Sequence, residues 1–281
     1  MNAPGGSGGA AESLAPSEQV QVEVNLQRWA AGGFLRRYRG RALRPAESVL
    51  FATHSEALRG RVLELGCGGG RLSGHLIALA TSLHGMDIAA DMVAHCRRTY
   101  PTATFSQGDL RDLSGWETAG WDAVVAGYAV VDVLGDGERR ALLDEVHRLL
   151  RPGGILIFSS HNLAFAPLLR GPIHAISFDN PVSFASQIWR LPRSLRNHRR
   201  LVQWERFEAD YAILNNAAHD FSLLHYYITR DGQERQLGDH GFELLECVGM
   251  DGRVVQPGEP ALAFPELHYA ALRSARDAEA G

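Results

Sequence analysis

The chain has 281 residues, enough for one large domain with an elaboration or one domain plus a small second one. Its 45% hydrophobic and 21% charged residues are the composition of an ordinary globular enzyme, and a net charge of −4 gives no global pull toward nucleic acid. Every basic residue is arginine, which excludes a lysine base or Schiff base, and Cys67, Cys96 and Cys247 form no CxxC pair, which argues against a disulfide framework or a zinc site.

The first 18 residues are rich in Gly, Ala, Ser and Pro and lack the basic and apolar regions of a signal peptide, so a disordered tail over 1–18 and a cytoplasmic protein are expected. No stretch approaches the roughly 20 apolar residues that span a bilayer. From Glu18 to Ala57 apolar residues recur at helical spacing (Val20, Val24, Leu26, Trp29, then Phe34, Leu35, Tyr38, then 48–58), which predicts a helical cap over 19–60.

Val62-Leu63-Glu64-Leu65 is a short apolar run of the kind that forms a buried parallel strand. It breaks into Gly66-Cys67-Gly68-Gly69-Gly70-Arg71, a turn in which glycine lets a ligand approach bare backbone, and helical spacing resumes at Leu72. Strand, glycine turn and helix open a nucleotide-binding βαβ unit. Dinucleotide loops usually read G-x-G-x-x-G; here the spacing is G-x-G-x-G, with Glu64 two places before it. A carboxylate at that point suits a ligand bearing an amino group or a sulfonium.

Thr81 to Ile88 reads as a second strand ending in Asp87, 21 residues after Gly66, close to the separation at which an acid meets a ribose diol. A helix from Asp91 to Arg98 follows. Further strands are expected at Ala103–Leu110, which ends in Gly108-Asp109, and at Trp121–Tyr128, and Leu149–Phe158 reads as a turn through Arg151-Pro152-Gly153-Gly154 and the strand it opens. The closing strands are read at Leu223–Thr229 and Phe242–Val248, a hairpin within 222–250.

Taken in order over residues 62 to 158, these five motifs resemble the class I S-adenosylmethionine-dependent methyltransferases. The resemblance implies an α/β fold, a doubly wound seven-stranded mixed sheet, with the N-terminal helical cap over 19–60, a cofactor-binding core over 61–160 and an insert over 161–221 between strands five and six. It implies S-adenosyl-L-methionine as cofactor, held by Glu64, Gly66, Cys67, Gly68 and Gly70 of the first motif, Asp87 and Ile88 of the second, and Met92. Asp109 and Leu110 would meet the adenine, Ala126 would lie beneath the sulfonium, and Tyr38 of the cap would close over the methionine portion. No metal is implied.

Methyl transfer is an in-line displacement that needs a positioned nucleophile and little water. Acceptor-side candidates are Tyr128 and Asp132 after the fourth strand and His161 after the fifth, an imidazole suited to accept a proton near neutral pH. His225 and Tyr226 alternate along their strand, so only one of them can face a pocket. The insert, with Pro167, Pro172, Pro181 and Pro192, is expected to form a lid or wall that buries Phe165, Phe178, Phe184, Trp189, Trp204 and Phe207 against the sheet. Its Arg190, Arg193, Arg196, Arg199 and Arg200 read either as a solvated helix face or as capture of an anionic group on the substrate.

The reading is O- or N-methylation of a small-molecule acceptor, in a monomer or homodimer, with secondary metabolism as a setting. Nucleic-acid or protein methylation ranks second; an N/D-P-P-Y/F tetrapeptide is missing where Ala126-Gly127-Tyr128-Ala129 stands. A non-catalytic S-adenosylmethionine-binding partner subunit is disfavoured by the intact motifs, and a dehydrogenase by the glycine spacing.

Overall fold

A strand at the centre of this chain cannot present one face to water, because consecutive residues along it are all apolar. Val62, Leu63 and Leu65 of β1 (Arg61–Leu65), Val124 and Val125 of β4 (Trp121–Ala126), and Leu156 and Ile157 of β5 (Leu150–Asn162) are each at most 4% exposed. Successive side chains point to opposite faces. Val62, Val125 and Ile157 therefore join a cluster with Leu50 of α2 (Pro45–Thr53), Leu58 of α3 (Ser55–Leu58) and Leu76 of α4 (Ser73–Leu79). Leu63, Val124 and Leu156 pack on the other side with Leu142 and Val146 of α6 (Asp136–Leu149) and Leu237 of α8 (Arg230–Asp239). Helices on both faces are what a parallel sheet requires.

The computed structural model describes residues 16–31, 42–165, 171–173, 176 and 180–274. The remaining elements are α1 (Pro16–Ala30), β2 (Ser82–Asp87), α5 (Ala90–Thr99), β3 (Thr104–Gln107), α7 (Pro181–Leu201), β6 (Arg206–Phe207), β7 (Tyr211–Leu214), β8 (His225–Ile228), β9 (Phe242–Gly249) and β10 (Glu266–Arg273). Strands run in the order β3-β2-β1-β4-β5, all parallel, and antiparallel β10 followed by β9 completes a seven-stranded mixed sheet. No described helix is long and apolar enough to cross a membrane.

Two sequence-based expectations change here. The closing hairpin is β9 with β10, not 223–229 with 242–248; residues between those two segments form α8. The sequence analysis passed over β10, whose Glu266, His268 and Tyr269 dilute its apolar run. Second, β5 outruns β4: its parallel register with β4 ends at Phe158, four residues short of Asn162. His161 then pairs with Glu266 of β10 on one edge and with Tyr227 of β8 on the other. β8 thus occupies the line that β4 has vacated, and β7 and β6 continue the sheet as a side branch over the carboxyl end of β4.

Of the tail expected over 1–18, residues 1–15 lie outside the described residues and 16–18 belong to α1. α1 is anchored by polar groups. Gln21 donates to the Leu134 carbonyl (2.9 Å), and Asn25 Nδ2 donates to the carbonyls of Val133 (2.7 Å) and Leu224 (2.6 Å). Asn25 Oδ1 accepts from the Leu224 amide, so one buried side chain ties the helix to both the β4 loop and the β8 approach.

Candidate active site

A cavity opens at the carboxyl ends of β1, β2, β4 and β5, where an open parallel sheet places its ligands. Its interior offers roughly 210 Å³ of water-accessible space. Ten of the candidates singled out from sequence line it: Gly66, Gly68, Asp87, Ile88, Met92, Asp109, Leu110, Tyr128, His161 and His225. Glu64, Cys67, Gly70, Ala126 and Asp132 stand behind this wall, and Tyr38 lies outside the described residues.

The glycine turn has the backbone that glycine alone adopts at low cost. Gly66 (φ 67°) and Gly68 (φ 53°) are left-handed. A Cβ on Gly66 would lie 2.3 Å from Val130, whereas one on Gly68 would project into open space, the cradle a ligand would fill. Asp87 braces the turn: Oδ2 accepts from the Gly68 amide (2.8 Å) and Oδ1 from the Ala89 amide (2.9 Å). At the far end, Asp109 is forked by Arg111, whose Nε and Nη2 reach both carboxylate oxygens (3.0 and 2.6 Å). Burial would raise the Asp109 pKa, but the bonds from Arg111 outweigh it and hold the carboxyl below its ordinary range. Glu138, also in the wall, keeps Oε2 buried and without a partner among the described residues.

Glu64 departs from the role read for it. Its side chain is buried and accepts a 2.5 Å bond from the Ser73 hydroxyl, away from the cavity lining. Burial pushes its carboxyl up to about 8, against the pull of Ser73 and Arg71. The group is therefore largely neutral at pH 7 and offers no fixed anion to a cationic ligand.

After β4 the chain turns through two left-handed residues, Tyr128 (φ 60°) and Ala129 (φ 52°), a costly conformation for side chains with a Cβ. The Ala129 amide donates to Ser159 Oγ (2.8 Å), which holds the turn against β5. Tyr128 is 48% exposed at the cavity rim, with the Arg44 guanidinium 4.2 Å from its ring centre.

Asp132 does not reach the cavity; it supports a residue that does. It is fully buried, and its Oδ1 accepts from Arg139 Nη1 (2.6 Å) and Ser160 Oγ (2.7 Å). Oδ2 accepts from the His161 backbone amide and from His161 Nδ1, both at 2.6 Å. Arg139 is itself held by Gln233 (2.6 Å) and Gln236 (3.0 Å) of α8. The bond at Nδ1 fixes the imidazole tautomer, so the neutral ring carries its lone pair on Nε2. That atom has no hydrogen bond among the described residues and is not buried. Burial would lower the His161 pKa, but the bond to Asp132 and its charge prevail and raise it.

The sequence analysis missed the roof. Val22, Asn25, Leu26 and Trp29 of α1 line the cavity, as does His219 of the side branch, beside the candidate His225. Tyr226, the neighbour weighed against His225, points away and donates to Asp136 Oδ1 (2.6 Å). Helical spacing flagged α1, yet its buried stripe of Glu18, Gln21 and Asn25 is polar and gives no apolar signal. In the insert, Trp189 (84% exposed) and Phe207 (54%) face solvent, contrary to expectation, and Phe178 lies outside the described residues. Trp189 shares the outer side of α7 with Arg193, Arg196 and Arg200, and none of the α7 arginines lines the cavity.

Comparison with known proteins bears on this site. A family profile described as "Methyltransferase domain" matches residues 62–154. A probable S-adenosylmethionine-dependent methyltransferase of Mycolicibacterium smegmatis is 35% identical over 107 residues, 38% of this chain and 40% of that protein. A malonyl-[acyl-carrier protein] O-methyltransferase of Enterobacter lignolyticus is 32% identical over 41% of this chain and 45% of its own length. The matches thus span less than half of these relatives. Among solved structures, the Burkholderia thailandensis 1,6-didemethyltoxoflavin-N1-methyltransferase, with S-adenosylhomocysteine bound, superposes with a TM-score of 0.56 at 14% identity, covering 94% of this chain and 93% of that one.

Proposed function

We propose that the chain is a class I S-adenosylmethionine-dependent methyltransferase, as its methyltransferase-domain match and relatives support, and that it methylates an oxygen or nitrogen of a small-molecule acceptor, with His161 as the general base. The observation that carries this reading is the Asp132–His161 pair, which presents a free Nε2 to the same cavity as the glycine cradle and Asp87.

S-adenosyl-L-methionine supplies an electrophilic methyl group when bound. The residues fit it: Gly68 leaves room for it, and Asp87 retains carboxylate lone pairs beyond the two amides it accepts from, enough for a ribose diol. Asp109 and Leu110 sit where an adenine edge would end. Gly70 and Cys67 shape the turn from behind, and Ala126 supports it from β4. The acceptor would enter between α1 and the side branch. There Val22, Leu26 and Trp29 exclude water, and His161 Nε2 takes the proton from the attacking hydroxyl or amine. Asp132 positions that imidazole and stabilises its charged form. In this reading residues 161–221 supply a wall of the acceptor pocket through His161 and His219, while α7 serves as its outer buttress.

Calorimetry with S-adenosylmethionine and S-adenosylhomocysteine tests the reading directly, and absence of binding at millimolar concentration would reject it. His161→Ala should leave cofactor affinity within about twofold and reduce turnover by roughly 10²–10⁴, the usual contribution of a general base. A fully active His161→Ala enzyme would remove the residue from the mechanism.

A further inference from the structure

His161 is not the only imidazole in the wall whose tautomer is fixed from behind. His225 is 5% exposed, and its Nδ1 lies 3.2 Å from Asn216 Oδ1. The Asn216 amide is oriented by its own Nδ2, which donates to the Tyr227 hydroxyl at 2.7 Å. Nδ1 of His225 is therefore the donor, and its lone pair sits on Nε2. That nitrogen, like Nε2 of His161, has no partner among the described residues and is not buried. Burial and the neighbouring His161 push the His225 pKa down to about 3, so the ring stays neutral.

The two rings stand 5.3 Å apart, centre to centre, on neighbouring strands β5 and β8. Two bare acceptors on neighbouring rings that line one cavity form a receptor for two adjacent donors. A cation would be poorly matched, because protonated His161 is itself positive. A lone hydroxyl would leave one of the two lone pairs unpaired once a bound acceptor covers them from water, which carries a cost. The same cavity is lined by aromatic and aliphatic groups: Trp29 meets His219 edge to face at 5.0 Å, and Val22 and Leu26 of α1 also line it. His219 is delivered by three consecutive left-handed residues, His219, Asp220 and Phe221 (φ 52°, 59° and 58°), and strain of this kind collects at sites that bind.

We propose that the acceptor is a planar ring bearing two adjacent hydroxyls, a catechol-type compound. One hydroxyl gives its proton to His161 Nε2 and is methylated, while its neighbour donates to His225 Nε2. The proton passes from oxygen to nitrogen, the oxygen–carbon bond forms as the carbon–sulfur bond of the methyl donor breaks, and the electron pair stays on sulfur. His225 is thus a specificity-determining residue rather than a base. The proposal rests on the methyltransferase reading above.

Catechol, hydroquinone and phenol are titrated into the ¹⁵N-histidine-labelled full chain saturated with S-adenosylhomocysteine, with the imidazole nitrogens followed by NMR. Catechol should bind about three- to tenfold more tightly than the other two, the contribution of one additional hydrogen bond, and should shift Nε2 of both His161 and His225. The preference should vanish in His225→Phe. It should also vanish in Asn216→Ala, which frees the His225 tautomer and serves if the first variant fails to fold. Equal binding of catechol and hydroquinone, no binding of catechol, or a preference that survives both variants would overturn the proposal. If S-adenosylhomocysteine itself does not bind, the methyltransferase reading falls. The same titration on the ligand-free protein then still decides whether the paired imidazoles select adjacent hydroxyls.

Discussion

Asp132 accepts four hydrogen bonds with no exposure to water, and each of its donors belongs to a group with its own consequence. Replacement by asparagine keeps the shape but substitutes an amide for the anion. His161 would then lose the charge that stabilises its imidazolium, and Arg139 would face it uncompensated. In wild type the His161 ring should titrate above its ordinary value of about 6.5. In Asp132→Asn the NMR titration should move to lower pH, because burial and Arg139 both favour the neutral ring once the carboxylate is gone. An unmoved titration would show that the pair does not tune the imidazole. Glu64 makes the opposite case. Its carboxyl is raised to about 8 in the fold and returns to the ordinary carboxylate range on unfolding. The native state therefore holds the extra proton, and stability falls as pH rises between those values. Glu64→Gln keeps an acceptor for Ser73 and removes the titration. Its unfolding free energy relative to wild type should grow from pH 5 to pH 8, measured by urea denaturation, and a pH-independent difference would refute the assignment. The motif made Glu64 and Asp132 visible as acids. Their roles were not legible, because which acid is neutral and which is ionised depends on burial and partners brought in from distant strands.

At the scale of elements, α1 shows a helix held by side-chain amides instead of an apolar stripe. Asn25→Ala should leave the Val133 and Leu224 carbonyls without their donor and cost about 1–3 kcal/mol, the range for orphaned buried polar groups. The same variant should weaken ligand binding, since Val22, Leu26 and Trp29 ride on that anchor. Denaturant midpoints and calorimetric affinities measure the two effects, and a variant as stable as wild type would show that the clamp is replaceable. Apolar runs made β1, β4 and β5 readable, and the turn residues and terminal acids Asp87 and Asp109 made β2 and β3 readable. The fork at β5 was not readable. It arises because β5 is longer than β4, and a strand's neighbours depend on relative lengths that no local window contains. The missed β10 has a similar cause: its buried Glu266 is paired with Arg44, a partner far away in the chain.

For the molecule as a whole, the cavity is the place where three separately anchored parts meet. The glycine turn belongs to β1, the roof to α1, and the paired imidazoles to the overshoot of β5 and to the side branch. The five motifs describe only the first of these parts; of the rest, Tyr128, His161 and His225 were legible as candidates, while the α1 roof and His219 were not. This division predicts how stability responds to ligand. A molecule that binds only the folded state adds RT ln(1 + [L]/Kd), about 2.7 kcal/mol at a concentration of 100 Kd. If S-adenosylhomocysteine touched the glycine turn alone, that protection would appear mainly in β1, β2 and their loops. Because the cavity is roofed by α1, whose hold depends on polar clamps at its edges, ligand contacts with Leu26 and Trp29 should transmit protection to the roof. Hydrogen exchange should therefore slow at the backbone amides of α1 as well as at residues 66–70 and 87–89 when S-adenosylhomocysteine is added. Slowing confined to the glycine turn, with α1 exchanging at the ligand-free rate, would mean that the roof takes no part in holding the cofactor and serves the acceptor alone.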